Sequence, residues 1–210
     1  MVYLSQINMD SIISNFFINE KGNINCKKNV KLSFLNDLQN THYIGLGGAG
    51  CNIIEYLQKK SIKAKFTCIT NPHRPNLSNE IKFIDFRAKY SDIHDTELSS
   101  DIKNICNKNE KYILFCGLGG NTGTFLTEKI TAFLFENDTS FMIIASLPFS
   151  FEGPECQSIA NLAAQKLQKY PNFYCYTFEE VKNLRNKKMG FNELFEQVSE
   201  MVYSLCLTNS

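Results

Sequence analysis

Six apolar runs recur along the chain from residue 41 onward, and helical patterns separate most of them. In chain order the runs are HYIGL, AKFTCIT, IKFIDF, KYILFCG, SFMIIASL and FYCYTF. Their apolar residues follow one another instead of alternating with polar ones, which is typical of parallel strands covered on both faces. The alternation of strands and helices predicts an α/β fold with a doubly wound, mostly parallel sheet and helices on both faces.

Two of the helical patterns are especially clear. One begins at Pro154, which suits the first helical position because the missing N–H would be unpaired there. The last helix has a broad apolar stripe, made of Phe191, Leu194, Phe195, Val198, Met201, Val202 and Leu205. Its other face is polar and is expected to meet water. The residues of that polar face are Glu193, Glu196, Gln197 and Glu200.

The chain divides into an irregular start and one regular unit. Residues 1–40 are rich in Asn, Lys and Ile and are interpreted as an N-terminal extension. Residues 41–210 contain no internal repeat and no low-complexity linker, so they are expected to form one domain. Its length is sufficient for a full hydrophobic core.

Composition excludes several classes of function. The chain has 22 Lys and Arg against 21 Asp and Glu, without a basic stripe, so nucleic acid is not expected as a partner. No apolar stretch reaches the roughly 20 residues that span a bilayer. No secretory signal begins the chain, and a cytoplasmic location is expected. The eight cysteines match no zinc pattern, so they are interpreted as small buried hydrophobes and no metal site is predicted.

A glycine-rich turn, GLGGAG, follows the first apolar run directly. Glycines allow the backbone to approach a phosphate, and the next helix directs its free N–H groups at the anion. The pattern also fits the dinucleotide fingerprint, which requires an acidic residue about 20 positions later. Asn71 stands near that position, so an NAD-binding enzyme is only a remote alternative.

A second glycine-rich turn, CGLGGNTGT, follows the fourth apolar run. Its two threonines supply hydroxyls at the start of another helix. Two anion-binding turns at the carboxyl ends of parallel strands would face one crevice, which suits a triphosphate. The alternative is that both are tight turns without a ligand.

A third segment, SLPFSFEGPE, ends the fifth run and contains Glu152. Two interpretations of this carboxylate stay open. Glu152 could accept hydrogen bonds from the hydroxyls of a ribose. It could instead stabilise the positive end of the helix that follows.

Together these segments resemble the tubulin/FtsZ superfamily of filament-forming GTPases. GGNTGT is similar to the family's signature loop G-G-G-T-G-[ST]-G, and GLGGAGCN resembles its first phosphate loop. PFSFEG resembles the FtsZ segment P-F-x-F-E-G, and the last helix resembles the central helix between the family's two domains. The resemblance covers roughly residues 41–207 and implies the Rossmann-like nucleotide-binding domain of this family.

The resemblance assigns nucleotide-binding roles residue by residue. It implies that Glu152 contacts the ribose, that Asn192 recognises the guanine edge and that Phe191 lies beside the base. It assigns neither a catalytic residue nor a metal ligand of the protein, and it implies GTP or GDP as ligand, with Mg²⁺ as a candidate companion ion. The matched positions are Gly47, Gly48, Ala49, Gly50, Asn52, Gly117, Gly119, Gly120, Asn121, Thr122, Gly123, Thr124, Glu152, Phe191 and Asn192.

The sequence also departs from the family pattern. The region expected to reach the γ-phosphate reads DFRAKYSDIHD and has no glycine run. Pro154, Glu155 and Cys156 stand where the family usually has basic residues, and Phe125 replaces the last signature glycine. The sequence ends after the central helix, so we expect the second domain, which carries the catalytic acidic loop, to be absent. Hydrolysis is therefore expected to be weak or to depend on a partner subunit.

Three functions follow in order of support. The leading hypothesis is a guanine-nucleotide-binding, FtsZ-like protein linked to cell division or filament assembly. Its partner would be a full-length FtsZ-like subunit or a second copy of itself. The alternative is a non-catalytic interaction or regulatory domain that has lost nucleotide binding. The remote alternative is the NAD-binding enzyme.

Overall fold

The computed structural model describes most of the chain between residues 41 and 200. The described residues are 41–60, 64–71, 77–86, 97–106, 110–170, 172–177, 193 and 196–200. The proposed N-terminal extension, Phe191, Asn192 and much of the last predicted helix lie outside them.

All six apolar runs form strands, as the sequence predicts. The strands are β1 (Thr41–Leu46), β2 (Lys65–Thr70), β3 (Ile81–Asp85), β4 (Lys111–Gly117), β5 (Phe141–Leu147) and β6 (Phe173–Thr177). The helices are α1 (Gly47–Lys59), α2 (Ser100–Ile105), α3 (Asn121–Glu136) and α4 (Pro154–Leu167). A 3₁₀ turn (Ser150–Glu152) precedes α4, and residues 196–200 are helical. In the described part of the chain, no helix has both the length and the apolar character needed to cross a membrane.

The six strands form one sheet in the order β3-β2-β1-β4-β5-β6, and every neighbouring pair is parallel. Successive strands run outward from β1 to one edge, and after β3 the chain returns to β4 and runs to the other. The predicted doubly wound α/β fold is therefore confirmed. Because all strands point the same way, their carboxyl ends share one edge, and the order reverses between β1 and β4.

Two hydrophobic cores cover the two faces of the sheet. Residues that alternate along a strand enter different cores: Tyr43 packs with Ile54 of α1, whereas Ile44 packs in the cluster that contains Leu126 of α3. This alternation follows from the pleat of a strand, which directs successive side chains to opposite faces. Burial on both faces explains why the sequence shows continuous apolar runs.

The helical residues 196–200 pack against α1 through a polar contact that the sequence did not predict. Glu200 accepts a hydrogen bond from the Tyr56 hydroxyl and pairs with the Lys60 ammonium at 3.2 Å. Glu193 and Glu196 are exposed, as expected for the polar face of this helix. Glu200 is instead partly buried, because its turn of the helix faces α1.

A buried histidine of β1 bonds with β2 and with the residue before β4 at the amino edge of the sheet, opposite the glycine turns. His42 Nε2 lies 2.8 Å from Thr67 Oγ1, and Nδ1 lies 3.2 Å from Glu110 Oε2. Glu110 also accepts a hydrogen bond from Lys65. Burial lowers the pKa of His42, although Glu110 partly opposes this, while the nearby charges of Lys65 and Lys82 lower it further.

We expect His42 to make stability depend on pH in mildly acidic solution. Its pKa is lower in the folded protein than the ordinary value near 6.5. Its stabilising contribution is therefore complete above about pH 6.5 and is lost as pH falls through the folded-state pKa. Urea unfolding between about pH 7.5 and 5 should show a steeper loss of stability in the wild type than in His42→Gln. Parallel pH profiles would contradict this assignment, since both proteins retain His73 and His94.

Candidate functional site

The first glycine turn connects β1 to α1 without an intervening loop. Gly47, the first residue of α1, has a φ of 71°, a backbone conformation that favours glycine. A Cβ at Gly50 would lie 2.0 Å from the carbonyl oxygen of Phe115 in β4. The missing side chain therefore allows α1 to lie directly on the β4 backbone.

The second glycine turn connects β4 to α3. Gly119 has a φ of 100° and donates its N–H to the Thr124 hydroxyl at 2.9 Å. Thr124 is buried, whereas Asn121 is exposed and Thr122 is half-buried at the start of α3. The Thr124 side chain thus stabilises the turn from inside, which the sequence analysis did not anticipate.

The two turns touch each other. A Cβ at Gly47 would lie 2.9 Å from the Gly123 Cα, and one at Gly123 would lie 2.7 Å from the Gly117 carbonyl oxygen. The amino ends of α1 and α3 therefore converge at the point where the strand order reverses. In each helix the residue before the first turn makes no side-chain cap, and the first turn contains no acidic residue. This arrangement of N–H groups suits an anion.

A cleft opens beside the first turn, between α1, the carboxyl ends of β5 and β6, and the helical residues 196–200. The cleft is narrow, with room for about one water molecule, and it is partly open to solvent. The lining residues are Ala49, Asn52, Ile53, Ser146, Tyr176, Val198 and Ser199. Burial raises the pKa of Tyr176 above its ordinary value, and its hydroxyl bonds with Ser146. The cleft therefore offers apolar walls with neutral hydroxyl and amide groups.

Glu152 lies in the 3₁₀ turn that precedes α4. Its Oε1 accepts a hydrogen bond from the Phe149 N–H at 2.7 Å, and its side chain is exposed to solvent. Its Oε2 lies 3.9 Å from the Cys156 thiol. The carboxylate thus stabilises its own turn, and contact with a ribose stays a prediction.

Similar proteins match this chain both in sequence and in structure. It is 25% identical over 174 residues to the "Cell division protein FtsZ" of Aquifex aeolicus, covering 76% of this chain and 47% of that protein. It is 24% identical over 143 residues to the "Mitochondrial division protein fszB" of Dictyostelium discoideum, covering 60% of this chain and 39% of that protein. The chain thus spans less than half of each of these relatives. No protein-family model matches it.

Solved structures give the same relationship at the level of the fold. The FtsZ dimer of M. jannaschii superposes with a TM-score of 0.66 at 19% identity, covering 79% of this chain and 52% of that one. TubZ of Clostridium botulinum phage c-st superposes with a TM-score of 0.62 at 14% identity, covering 80% of this chain and 60% of that one. The chain is thus FtsZ-like in sequence and shares its fold with FtsZ and TubZ structures.

The structure of this FtsZ/tubulin-like chain brings most of the predicted site residues to one edge of the sheet. The glycine turns meet there, with Asn52 in the neighbouring cleft. Phe191 and Asn192, expected at the base, lie outside the described residues. Nucleotide contact stays a prediction for all of these positions.

The cysteines of this FtsZ/tubulin-like chain behave as small hydrophobes in the described residues. Cys51, Cys68, Cys106, Cys116 and Cys175 are buried free thiols, and Cys156 is half-buried and free. Burial raises the pKa of Cys116 to about 12, so this thiol stays protonated at neutral pH. Within the described ranges, no group of three or more His, Cys, Asp or Glu side chains could hold a metal ion.

Among the cleft residues that sequence reasoning missed are two strand residues with hydroxyl groups, Ser146 and Tyr176. Both lie near the carboxyl ends of their strands, at the edge where ligands bind in open α/β sheets. That rule could have selected them from the sequence. Gln157 in the first turns of α4 was also missed, because a lone glutamine at a helix start carries no motif.

We expect Gly50→Ala to destabilise the fold strongly. The added Cβ would meet the rigid carbonyl of Phe115 and force α1 away from β4. The free energy of unfolding should fall by roughly 3 kcal/mol or more. Gly120→Ala is the matched control, because a Cβ there meets nothing within 4 Å and its φ is −83°. Its effect should stay below about 1 kcal/mol. Equal urea unfolding curves for the two variants would contradict the close approach.

Proposed function

We propose that this FtsZ/tubulin-like chain binds a guanine nucleotide, GTP or GDP, where the two glycine turns meet. The observation that carries the proposal is the contact between Gly47 and Gly123, which brings two helix amino ends to one crevice. Two such ends provide several N–H donors and two positive dipole ends for a chain of phosphates. The residues proposed for the phosphates are Gly47, Gly48, Ala49, Gly50, Gly117, Gly119, Gly120, Asn121, Thr122, Gly123 and Thr124.

The base and the ribose of the nucleotide are proposed to bind on the side of α1 that faces the cleft. Asn52 lines that cleft, and an amide can both donate to and accept from guanine or ribose groups. Asn192 and Phe191 are proposed to recognise the base because they match the family motif. Glu152 is proposed for the ribose. Mg²⁺ usually binds through substrate phosphates and retains several waters, so we include it as a companion of the nucleotide.

We propose further that hydrolysis is weak or depends on a neighbouring subunit. Catalysis of phosphoryl transfer consists largely of positioning and charge stabilisation, and the glycine turns could supply the second. Solved relatives are described as an "FtsZ dimer" and as "GDP-form protofilaments" of TubZ. A second copy of this chain, or a full-length FtsZ-like subunit, is the partner that these names suggest. Cell division or filament assembly in the cytoplasm is the proposed setting.

A second candidate is an interaction domain that has lost nucleotide binding. Two observations favour it. The Thr124 hydroxyl and the Glu152 carboxylate, both expected to face the ligand, form hydrogen bonds within their own turns. In addition, Glu155 stands where the family usually has a basic residue. Direct titration separates the two candidates.

We expect the wild type to bind GTP and GDP more tightly than ATP in a calorimetric titration with Mg²⁺. Asn192→Ala should reduce this preference for guanine, since a well-made amide contact contributes about 1–3 kcal/mol. Thr122→Ala should lower the affinities for all three nucleotides by a similar factor, about tenfold or less. The reason is that Thr122 is proposed to contact the phosphates, which the three nucleotides carry in common.

Asn161→Ala is the control, because Asn161 is exposed on α4. Its nucleotide affinities should equal those of the wild type. A wild type that binds none of the nucleotides at millimolar concentration would overturn the proposal and favour the interaction domain.

A further inference from the structure

The segment between β5 and α4 is a compact turn that holds Glu152. The Glu152 N–H donates to the Phe149 carbonyl at 3.0 Å, while Glu152 Oε1 accepts from the Phe149 N–H at 2.7 Å. The rings of Phe149 and Phe151 stack with centroids 5.0 Å apart. Phe151 is 66% exposed, so solvent rather than the core surrounds the tip of the turn. At the base of the turn, Phe149 is half-buried against the core, and polar contacts join the same residue to α4.

Gln157 supplies polar contacts to the base of the turn from α4. Its Nε2 donates to the Phe149 carbonyl at 2.6 Å and lies 3.2 Å from the Pro148 carbonyl. Its own N–H donates to the Gly153 carbonyl at 3.2 Å, which fixes Gln157 within the start of α4. The Gln157 side chain thus joins the amino end of the turn to α4.

The turn is also adjacent to the second glycine turn. A Cβ at Gly119 would lie 2.6 Å from Cys156 Sγ and 3.3 Å from Pro148 Cγ. Gly119 is therefore packed between α4 and the segment that carries Glu152. A shift of this segment would move the Glu152 carboxylate relative to the phosphate site.

We propose that Gln157 is a positioning residue for the nucleotide site, which holds Glu152 where it can accept a hydrogen bond from a ribose hydroxyl. This inference rests on the proposed function. The Phe149 N–H donates to one carboxylate oxygen of Glu152, and this bond fixes the direction of the other oxygen. The Gln157 amide in turn holds Phe149 in place by donating to the Phe149 backbone carbonyl. No family motif assigns a role to this position, and Gln157 acts through Glu152 without touching the ligand.

The test compares two ligands that differ only at the ribose, GTP and 2′,3′-dideoxy-GTP, in calorimetric titrations with Mg²⁺. Gln157→Leu retains the size of the side chain but removes the amide donor. This variant should lower the affinity for GTP about fivefold to tenfold, which is the effect of one lost hydrogen bond. Its affinity for dideoxy-GTP should stay unchanged. Gln165→Leu is the matched control, because Gln165 is exposed on the same helix. Its affinities for both ligands should equal those of the wild type.

Two results would overturn the inference. An equal loss of affinity for both ligands in Gln157→Leu would show that Gln157 has a general structural role. Unchanged affinity for GTP would show that Gln157 does not position Glu152. Neither result would affect the proposed function, because the wild type would still bind GTP.

Amide hydrogen exchange provides a measurement that needs no ligand. In Gln157→Leu the N–H groups of Phe149 and Glu152 should exchange severalfold faster than in the wild type and in Gln165→Leu. Unchanged exchange would overturn the positioning role even if nucleotide binds. Failure of the wild type to bind either ligand would overturn the proposed function instead, so the two failures are distinguishable.

Discussion

The close approach of α1 to the backbone of β4 is the constraint on which the candidate site depends. Gly50 allows it, because any side chain would overlap the Phe115 carbonyl. Once α1 lies on β4, its amino end reaches the turn that follows β4, and Gly47 meets Gly123. The convergence of two helix amino ends is thus a consequence of backbone packing. Charged side chains are not needed to bring these two ends together.

The two edges of the sheet have different properties because all six strands are parallel. At the amino edge His42 is buried, with Thr67 and Glu110 bonded to its ring nitrogens. That cluster satisfies polar groups within the protein and contributes to stability. At the carboxyl edge the helix amino ends present N–H groups toward a crevice. The candidate site is therefore found where the backbone has donors to offer.

Side chains near the site mainly shape the loops. Thr124 accepts from Gly119, Glu152 accepts from Phe149, and Gln157 bonds the same short turn from α4. The candidate site thus presents backbone N–H groups, and nearby side chains hold the loops that carry them in position. Loops that depart from the family's side-chain pattern still bring two helix amino ends together, because backbone packing sets that geometry.

The sequence alone determined the six strands, the doubly wound fold and the two glycine turns, because apolar burial on both faces and glycine-rich turns leave local patterns. The tertiary structure decided which side chains face inward at those turns. Thr124 and Glu152 have hydrogen-bond partners within their own loops, and Glu200 contacts Tyr56 on a distant helix. The partners of Thr124 and Glu152 are near in sequence, but the bonds form only in the loop conformation that the folded structure imposes. The contact between Glu200 and Tyr56 depends on packing between segments 144 residues apart, and no local pattern encodes it.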